Sequence, residues 1–273
     1  MELRYATVLI VEDEPMLLEL FRTWLEQEHC VVLAAGDGVG ALRILGKQNV
    51  DLIVSDIRMP VMDGLLLLLN LTTSRISSKR IDRPKKILIS KYTDLEAREA
   101  YGLGVEALMQ KPFKHDQFVN EVRRTLRTRE EAWALPSSAG GRRLQLALPS
   151  VPAAIKQGSI AFGQGGFCVR CISSIKEGPV RFDLEFAGEP QSFTGHGVVR
   201  WADSVEHLLG VEISDFDEPC WEKSIYLITA NATSSYIPRA PLSAARSEAT
   251  PPSATQKLGS QRSVLNKSAG TRQ

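Results

Sequence analysis

Residues 50–60 read VDLIVSDIRMP, and this stretch decides the fold of the first half of the chain. Apart from Asp51, the run up to Val54 is apolar, which is typical of a strand buried on both faces of a parallel sheet. The strand ends on a carboxylate, Asp56. Functional groups of doubly wound sheets gather beyond the carboxyl ends of their strands, so Asp56 is a candidate site residue.

The same alternation of apolar runs and helical stripes continues on both sides of this strand. Strands are predicted at residues 7–12, 30–34, 50–56, 86–90 and 105–109. Helices are predicted at residues 15–28, 37–47, 64–76, 94–102 and 115–131. Five short strands alternating with five helices imply an α/β domain with a five-stranded parallel, doubly wound sheet. We assign this domain to residues 1–130.

The remainder of the chain has a different character. Residues 131–141 are rich in small residues and are interpreted as a linker. Residues 142–232 contain short strand-like pieces separated by glycine-rich turns, which favours a small, mainly-β barrel closed by a helix at 219–230. Residues 233–273, dominated by Ser, Ala, Pro and Thr towards the end, are predicted to be a disordered tail.

Composition and charge limit the partners and the cellular location that we expect for this protein. The 273 residues include 33 Lys and Arg and 32 Asp and Glu, so the charge balance gives no reason to expect a nucleic acid or an anionic membrane as partner. The second half has no helix-turn-helix pattern, and we expect no DNA binding. Since no run approaches ~20 apolar residues and no signal peptide is recognised, we expect a cytoplasmic protein without a membrane span.

Two cysteines form a C-x-x-C motif, Cys168 and Cys171, within a strand-like segment. Residues three apart on a strand point to opposite faces of the sheet, so the two thiols are not expected to converge on a metal. We interpret both as packing residues.

The chemistry-bearing residues all follow predicted strand ends. They are Glu12, Asp13, Asp56, Ser90 and Lys111. Clustered carboxylates favour a hard divalent cation such as Mg²⁺, with Glu12, Asp13 and Asp56 as ligands. Asp56 can also act as a nucleophile towards phosphorus, and Lys111 and Ser90 can bind the phosphoryl oxygens. The sequence therefore predicts transfer of a phosphoryl group to Asp56.

At these residues the chain resembles the response regulator receiver family. The resemblance lies in four segments at the family's order and spacing: Val8–Pro15, Asp56–Pro60, Met62–Gly64 and Lys111–Phe113. It implies a flavodoxin-like fold and Mg²⁺-dependent phosphorylation of Asp56 by a sensor histidine kinase within a two-component phosphorelay. It also implies that the backbone carbonyl of Arg58 completes the metal site. Such a protein catalyses only its own modification, so we do not expect an enzyme.

Three positions bear on this resemblance. Leu108 stands where the family usually has an aromatic residue that rotates on phosphorylation, and Lys91 stands where a small residue is usual. A haloacid dehalogenase-type hydrolase also uses an Asp nucleophile with Mg²⁺, but it requires a second Asp where this chain has Arg58. The chain departs from the hydrolase pattern at this position.

The helix that begins at Gly64 carries more leucine than one buried face requires. Leu66 and Leu69 are the surplus residues. They are either covered by the linker or the second domain, or they form a surface for a partner or a second copy.

Residues 140–230 resemble the PilZ domain, many members of which bind cyclic di-GMP. The likeness lies in the segments 143–149, 163–169, 197–201 and 209–213. Of the family's ligand-binding residues only a degenerate set remains, Arg142, Arg143 and Gly166. Since each lost charge-assisted contact removes ~1.5–3 kcal/mol, we expect an output domain that binds an unknown protein partner and not cyclic di-GMP. The alternative is a cyclic di-GMP receptor modulated by the receiver.

Overall fold

The computed structural model of the chain describes residues 5–73, 84–91, 95–133, 141–172, 175–190, 192–217 and 221–240. These residues form two sheets, A and B, each with its own helices. The first unit contains β1 (Thr7–Val11), α1 (Pro15–Gln27), β2 (Val31–Ala35), α2 (Gly38–Leu45), β3 (Leu52–Asp56), α3 (Gly64–Thr73), β4 (Lys85–Ser90), α4 (Ala97–Gly102), β5 (Ala107–Gln110) and α5 (His115–Leu126).

Sheet A is parallel throughout and has the strand order β2-β1-β3-β4-β5. This is the flavodoxin-like order, and the predicted α/β fold of the first unit is confirmed. Alternate residues of β1 point to opposite faces, as the two-residue period of a strand requires. Val8 and Ile10 pack with α1 and α5, whereas Leu9 and Val11 pack with α2 and α3. Both faces of the sheet are therefore buried, which explains why its strands are almost purely apolar.

The ends of the helices follow local chemistry. Helix α1 begins with Pro15, whose missing N–H costs nothing in the first turn. Helix α2 is capped by Asp37, whose Oδ1 accepts a hydrogen bond of 2.7 Å from the backbone N–H of Gly40. Helix α5 ends at Leu126, earlier than the predicted end at residue 131, because Arg127 adopts an extended backbone with ψ of 143°. The predicted helical residues 74–76 and 94 lie outside the described residues.

The second unit contains α6 (Arg129–Trp133), β6 (Arg142–Leu148), α7 (Val151–Lys156), β7 (Ile160–Phe162), β8 (Gly166–Arg170), β9 (Gly178–Phe186), β10 (Phe193–Asp203), β11 (Leu208–Phe216) and α8 (Trp221–Asn231). Sheet B has the order β6-β9-β10-β11-β8-β7, and only the β6–β9 pair is parallel. A second, mainly-β unit is present as predicted. Its assignment as a small closed barrel stays a prediction.

The short helices α6 and α7 were not predicted as separate elements: residues 129–131 of α6 fell in the helix predicted at 115–131, and α7 was not predicted at all. They have five and six residues, too few for a helical period to stand out in the sequence. Trp133 at the end of α6 is buried in the core of sheet B, and its indole N–H donates to the carbonyl oxygen of Ile213 at 3.1 Å. The assignment of residues 131–133 to a linker is therefore wrong, while residues 134–140 lie outside the described residues.

The tail prediction also needs correction at its start. Residues 233–240 are ordered against both units, and Ile237 is fully buried. The remainder of the predicted tail, residues 241–273, lies outside the described residues. The composition of this segment could not indicate its docking, because the segment packs into a hydrophobic core that other elements form. We call the group around Ile237 the shared cluster; it consists of Tyr101, Cys168, Trp201, Leu208 and Ile237.

The two cysteines of the C-x-x-C motif point in different directions, as the strand geometry predicts. Cys168 belongs to the shared cluster, whereas Cys171 belongs to the core of sheet B. Among the described helices, none combines the length and the apolar character that crossing a bilayer requires.

Candidate functional site

The strand ends that the sequence singled out meet at one edge of sheet A. Glu12 and Asp13 follow β1, Asp56 ends β3, Ser90 ends β4 and Lys111 follows β5. These four strands are neighbours in the sheet, so their carboxyl ends lie side by side. The register keeps them level through the pairs Val11↔Ser55, Asp56↔Ile89 and Ser90↔Gln110.

The three carboxylates and the ammonium converge. Each of Glu12, Asp13 and Asp56 offers a carboxylate oxygen within 4.8 Å of the other two. The Nζ of Lys111 lies 2.9 Å from Oε2 of Glu12 and 3.4 Å from Oδ1 of Asp56. Asp13 is exposed, whereas Glu12 and Asp56 are buried. The site, which we call the acidic depression, is thus buried at Glu12 and Asp56 and reaches solvent at Asp13.

Burial dominates the electrostatics of this depression. Burial raises the pKa of Asp56, and the charge of Asp13 adds to the rise, although Lys111 acts in the opposite direction. The pKa of Glu12 is raised as well, again mainly by burial and with Asp56 contributing, against the hydrogen bond and charge of Lys111. Three carboxylates face one ammonium, so the charge of Lys111 alone does not balance theirs.

Ser90 and Arg58 lie beside the carboxylates. Ser90 is buried at 2 % exposure, and its carbonyl oxygen accepts a hydrogen bond from the backbone N–H of Lys111 at 2.9 Å. Arg58 lies two residues beyond Asp56 in the connection to α3, and its side chain is exposed. Lys91, the cation next to Ser90, is also exposed.

The glycine of the Met62–Gly64 segment has a packing role at this site. Gly64 begins α3 and lies so close to Asp56 that a Cβ would collide with the carbonyl oxygen of Asp56. Its backbone N–H also donates to the carbonyl oxygen of Ile57 at 2.9 Å. Absence of a side chain thus lets α3 start directly against the backbone that carries the candidate nucleophile.

The donor set of the depression fits a hard divalent cation. Its ligand atoms are carboxylate oxygens, the ligands that Mg²⁺ prefers, and three carboxylates against one ammonium leave negative charge that a cation would offset. Among the residues that the structure describes, no thiol or imidazole belongs to this cluster.

A comparison with protein families identifies this unit. Residues 8–123 match the family model of the response regulator receiver domain. The first unit is a receiver domain. All of the strand-end residues of the site lie inside the matched range, so the depression belongs to this domain.

Curated proteins are similar to part of this chain. The chain is similar to the response regulator GtcR of Aneurinibacillus migulanus, with 34% identity over 44% of this chain and 48% of that protein. It is also similar to the Regulator of RpoS of Escherichia coli strain K12, with 36% identity over 39% of this chain and 30% of that protein. The chain therefore spans less than half the length of these curated relatives.

Solved structures of receiver domains also match. One is the receiver domain of a signal transduction histidine kinase from Syntrophus aciditrophicus, with 26% identity, a TM-score of 0.41, and coverage of 49% of this chain and 99% of that one. Another is the response regulator TrrA from Thermotoga maritima, solved in complex with Mg²⁺-BeF, with 27% identity and a TM-score of 0.38. The match with TrrA covers 43% of this chain and 96% of that chain.

The position of Leu108 in the receiver domain is that of a packing residue. It lies on β5, is partly buried, and packs with Leu68, Leu88 and Val105 on one face of sheet A. An aliphatic side chain at this position has no polar atom that could move between solvent and the site. Leu66 and Leu69 on α3 are 48% and 43% exposed, in line with their designation as surplus residues.

In the second unit, two of the three degenerate nucleotide residues, Arg143 and Gly166, have structural roles. Arg142 and Arg143 begin β6 and are exposed, and Arg143 pairs with Asp183 on the neighbouring strand at 3.4 Å. Gly166 begins β8, where a Cβ would collide with the carbonyl oxygen of Val211. The close approach of two strands is therefore sufficient to require this glycine.

Sequence reasoning missed a buried polar hub between the receiver domain and sheet B. Glu212 on β11 accepts hydrogen bonds from Arg124 of α5, from Arg200 of β10 at 2.5 Å, and from the hydroxyl of Tyr236 at 2.7 Å. Arg124 also bonds to Glu121 on its own helix. A signal for this hub was present in the sequence, because Glu212 is the one charged residue in the otherwise apolar run 208–213.

A further contact between the units surrounds Arg98 of α4. Its guanidinium pairs with Asp203 and Glu206 at the turn after β10 and lies over the ring of Trp201, 5.4 Å from the ring centroid. Both contacts join the α4–α5 side of the receiver domain to sheet B.

Sheet B also holds a second group of potential ligands, His196, Asp215 and Asp217. This group already contains its own cation. Arg181 lies 2.6 Å from Oδ2 of Asp217 and 3.2 Å from Nε2 of His196, whose Nδ1 is 2.9 Å from Asp215. The arrangement is that of an ion-pair network on the sheet.

Proposed function

We propose that this protein is a response regulator that accepts a phosphoryl group on Asp56 from a sensor histidine kinase. The observation that carries the proposal is the convergence of three carboxylates and one ammonium around Asp56, with Lys111 Nζ at 3.4 Å. In the transfer, a carboxylate oxygen of Asp56 forms a bond to phosphorus while the bond from phosphorus to the donor's histidine nitrogen breaks. The leaving imidazole takes up a proton from solvent.

The residues around Asp56 have separate tasks in this reaction. Lys111 offers its ammonium to a phosphoryl oxygen, and Ser90 offers a hydroxyl hydrogen to another. Glu12, Asp13, Asp56 and the backbone carbonyl of Arg58 would hold Mg²⁺. The ion, when bound, offsets the charge of the carboxylates and of the incoming phosphoryl group.

We propose further that sheet B forms a PilZ-like output domain that binds a protein partner. The support is the likeness of its segments to that family and the hub through which Glu212 meets Arg124 of the receiver domain. The receiver catalyses only its own modification, so we do not propose an enzymatic activity. We propose the cytoplasm as the place where it meets its kinase.

Incubation of the purified chain with acetyl phosphate and Mg²⁺ tests the central step. Intact-mass measurement should show the addition of one phosphoryl group to the wild type and none to Asp56→Asn. Asp51→Asn is the matched control, because it makes the same substitution at the opposite end of the same stretch and retains an oxygen that can accept the hydrogen bond of 2.7 Å from Thr7. Equal labelling of Asp56→Asn, or labelling that persists in excess EDTA, would contradict the proposal.

A further inference from the structure

Residues 233–240, which we call the strap, leave the end of α8 and cross the edge of sheet B. Their backbone is bound to that sheet by several hydrogen bonds. The N–H of Thr233 donates to the carbonyl oxygen of Phe162 at 2.8 Å, and the N–H of Gln164 donates to the carbonyl oxygen of Ser235 at 2.8 Å. The N–H of Gly165 donates to the carbonyl oxygen of Tyr236 at 3.0 Å. The strap is therefore an ordered extension of the second unit.

The same segment also binds the end of helix α4 in the receiver domain. The N–H of Tyr236 donates to the carbonyl oxygen of Tyr101 at 3.1 Å, and Oγ of Ser235 donates to the carbonyl oxygen of Gly102 at 2.9 Å. The carbonyl oxygen of Tyr101 also accepts a hydrogen bond from the N–H of Gly104 at 3.1 Å, so the strap adds hydrogen bonds to those that already end α4. From the other side, Nε of Arg98 donates to the carbonyl oxygen of Arg239 at 2.8 Å.

Two side chains anchor the strap between the units. Ile237 is fully buried in the shared cluster, against Tyr101 of α4 and Trp201 of β10. The hydroxyl of Tyr236 donates to Glu212, which joins the strap to the buried hub. Each anchor contacts both units or the hub between them, so docking of the strap fastens α4 to sheet B.

Helix α4 is close in sequence to the phosphoryl-binding edge. Only residues 91–96 separate Ser90 from Ala97, the first residue of α4. Under the proposed function Ser90 binds a phosphoryl oxygen, and we expect its adjustment to be passed to α4 because the two are so close in sequence. When the strap holds α4 in place, this adjustment works against fixed hydrogen bonds, so docking and phosphorylation are linked equilibria.

We infer that the strap restrains the receiver domain: docked, it holds α4 against sheet B, and its release frees α4 and speeds the phosphorylation of Asp56. The second half of this inference rests on the proposed function. The restraint comes from the strap, which is part of this chain, and requires no partner protein.

Substitution of Ile237 by Asp tests the restraint. A carboxylate at a fully buried apolar position should undock the strap, whereas Ile172→Asp makes the same change at a side chain that is 93% exposed. Hydrogen–deuterium exchange of residues 97–103 should rise by about tenfold or more in Ile237→Asp. Residues 52–56 and 193–199, in the cores of the two sheets, should keep wild-type protection. Labelling by acetyl phosphate should be about threefold faster than in the wild type and in Ile172→Asp.

A milder variant covers the case in which Ile237→Asp also exposes the two cores. Ser235→Ala combined with Tyr236→Phe removes two side-chain hydrogen bonds of the strap and leaves the aromatic ring in place. Faster exchange of residues 97–103 with faster labelling supports the inference in either variant.

The outcomes separate the inference from the proposed function. Unchanged exchange of residues 97–103, or faster exchange with an unchanged labelling rate, overturns the inference while the labelled wild type upholds the proposed function. If Asp56 is not labelled in any chain, the proposed function fails, and the link between strap and phosphorylation fails with it.

Discussion

The polar hub at Glu212 makes the docking of the receiver domain against sheet B open to a quantitative test. Substitution Glu212→Gln keeps the size of the side chain and removes its negative charge. Arg124 and Arg200 then lose the carboxylate that both of them contact. We expect the free energy of unfolding to fall.

The size of the loss follows from the surroundings of the carboxylate. Burial raises the pKa of Glu212, but the charges of Arg124 and Arg200 and the hydroxyl of Tyr236 more than offset it, so the pKa lies below its ordinary value. Removing one member of a buried ion pair costs about 3–5 kcal/mol. Both arginine side chains are 29% exposed, and Arg124 keeps Glu121 as a second partner. We therefore expect a loss of about 2–3 kcal/mol.

Urea unfolding followed by tryptophan fluorescence measures this loss at neutral pH. Glu206→Gln is the matched control, because Glu206 pairs with Arg98 at the other contact between the units but is 53% exposed. Its loss should stay within about 0.5 kcal/mol. Equal losses in the two variants would refute the reasoning that burial makes the Glu212 pair strong.

Acidification gives a second check on the same residue. A carboxyl with a lowered pKa contributes stability above its unfolded-state pKa, about 4.3, and loses that contribution as the pH falls through its folded-state pKa. The difference between wild type and Glu212→Gln should therefore be full at pH 7 and should shrink below about pH 4. A difference that persists unchanged in acid would show that shape, and not charge, is responsible.

Three further predictions concern the receiver site, its surface and the second unit. In EDTA, the free energy of unfolding of Asp56→Asn should exceed that of the wild type by on the order of 1 kcal/mol. Burial raises the pKa of this carboxyl, so its ionised form becomes costly as the pH rises through that pKa. Excess Mg²⁺ should remove the advantage, and a less stable Asn variant in EDTA would contradict this prediction. Leu67→Ala, at a fully buried position, should lower the free energy of unfolding in urea by about 2–5 kcal/mol. Leu66→Ala, on the exposed face of the same helix, should lower it by less than about 1 kcal/mol. Equal losses would mean that the exposed face is covered. Titration calorimetry with cyclic di-GMP should show no micromolar binding, since Arg143 is engaged by Asp183. The titration curve of the wild type should match that of Arg143→Ala. Micromolar binding would overturn the assignment of a protein-binding output.

Local patterns were sufficient for the receiver domain. Apolar runs and helical stripes specify its strands and helices because each strand is buried on both faces, and a parallel order places all strand ends at one edge. The residues at those ends could therefore be predicted to converge, and Glu12, Asp56 and Lys111 do so in the structure. Only local details were wrong, such as the end of α5, where a single extended residue, Arg127, interrupts the helix.

Contacts between distant parts of the chain were beyond the reach of these patterns. Glu212, Arg124 and Tyr236 become partners only when sheet B, α5 and the strap are packed together, and none of the three is marked by periodicity. The strap has too little apolar surface to fold by itself, so composition indicated disorder. It is ordered because Ile237 enters a cluster that Tyr101 of one unit and Trp201 of the other have already built. Burial of this kind depends on surfaces contributed by other segments, and a sequence read window by window does not contain that information.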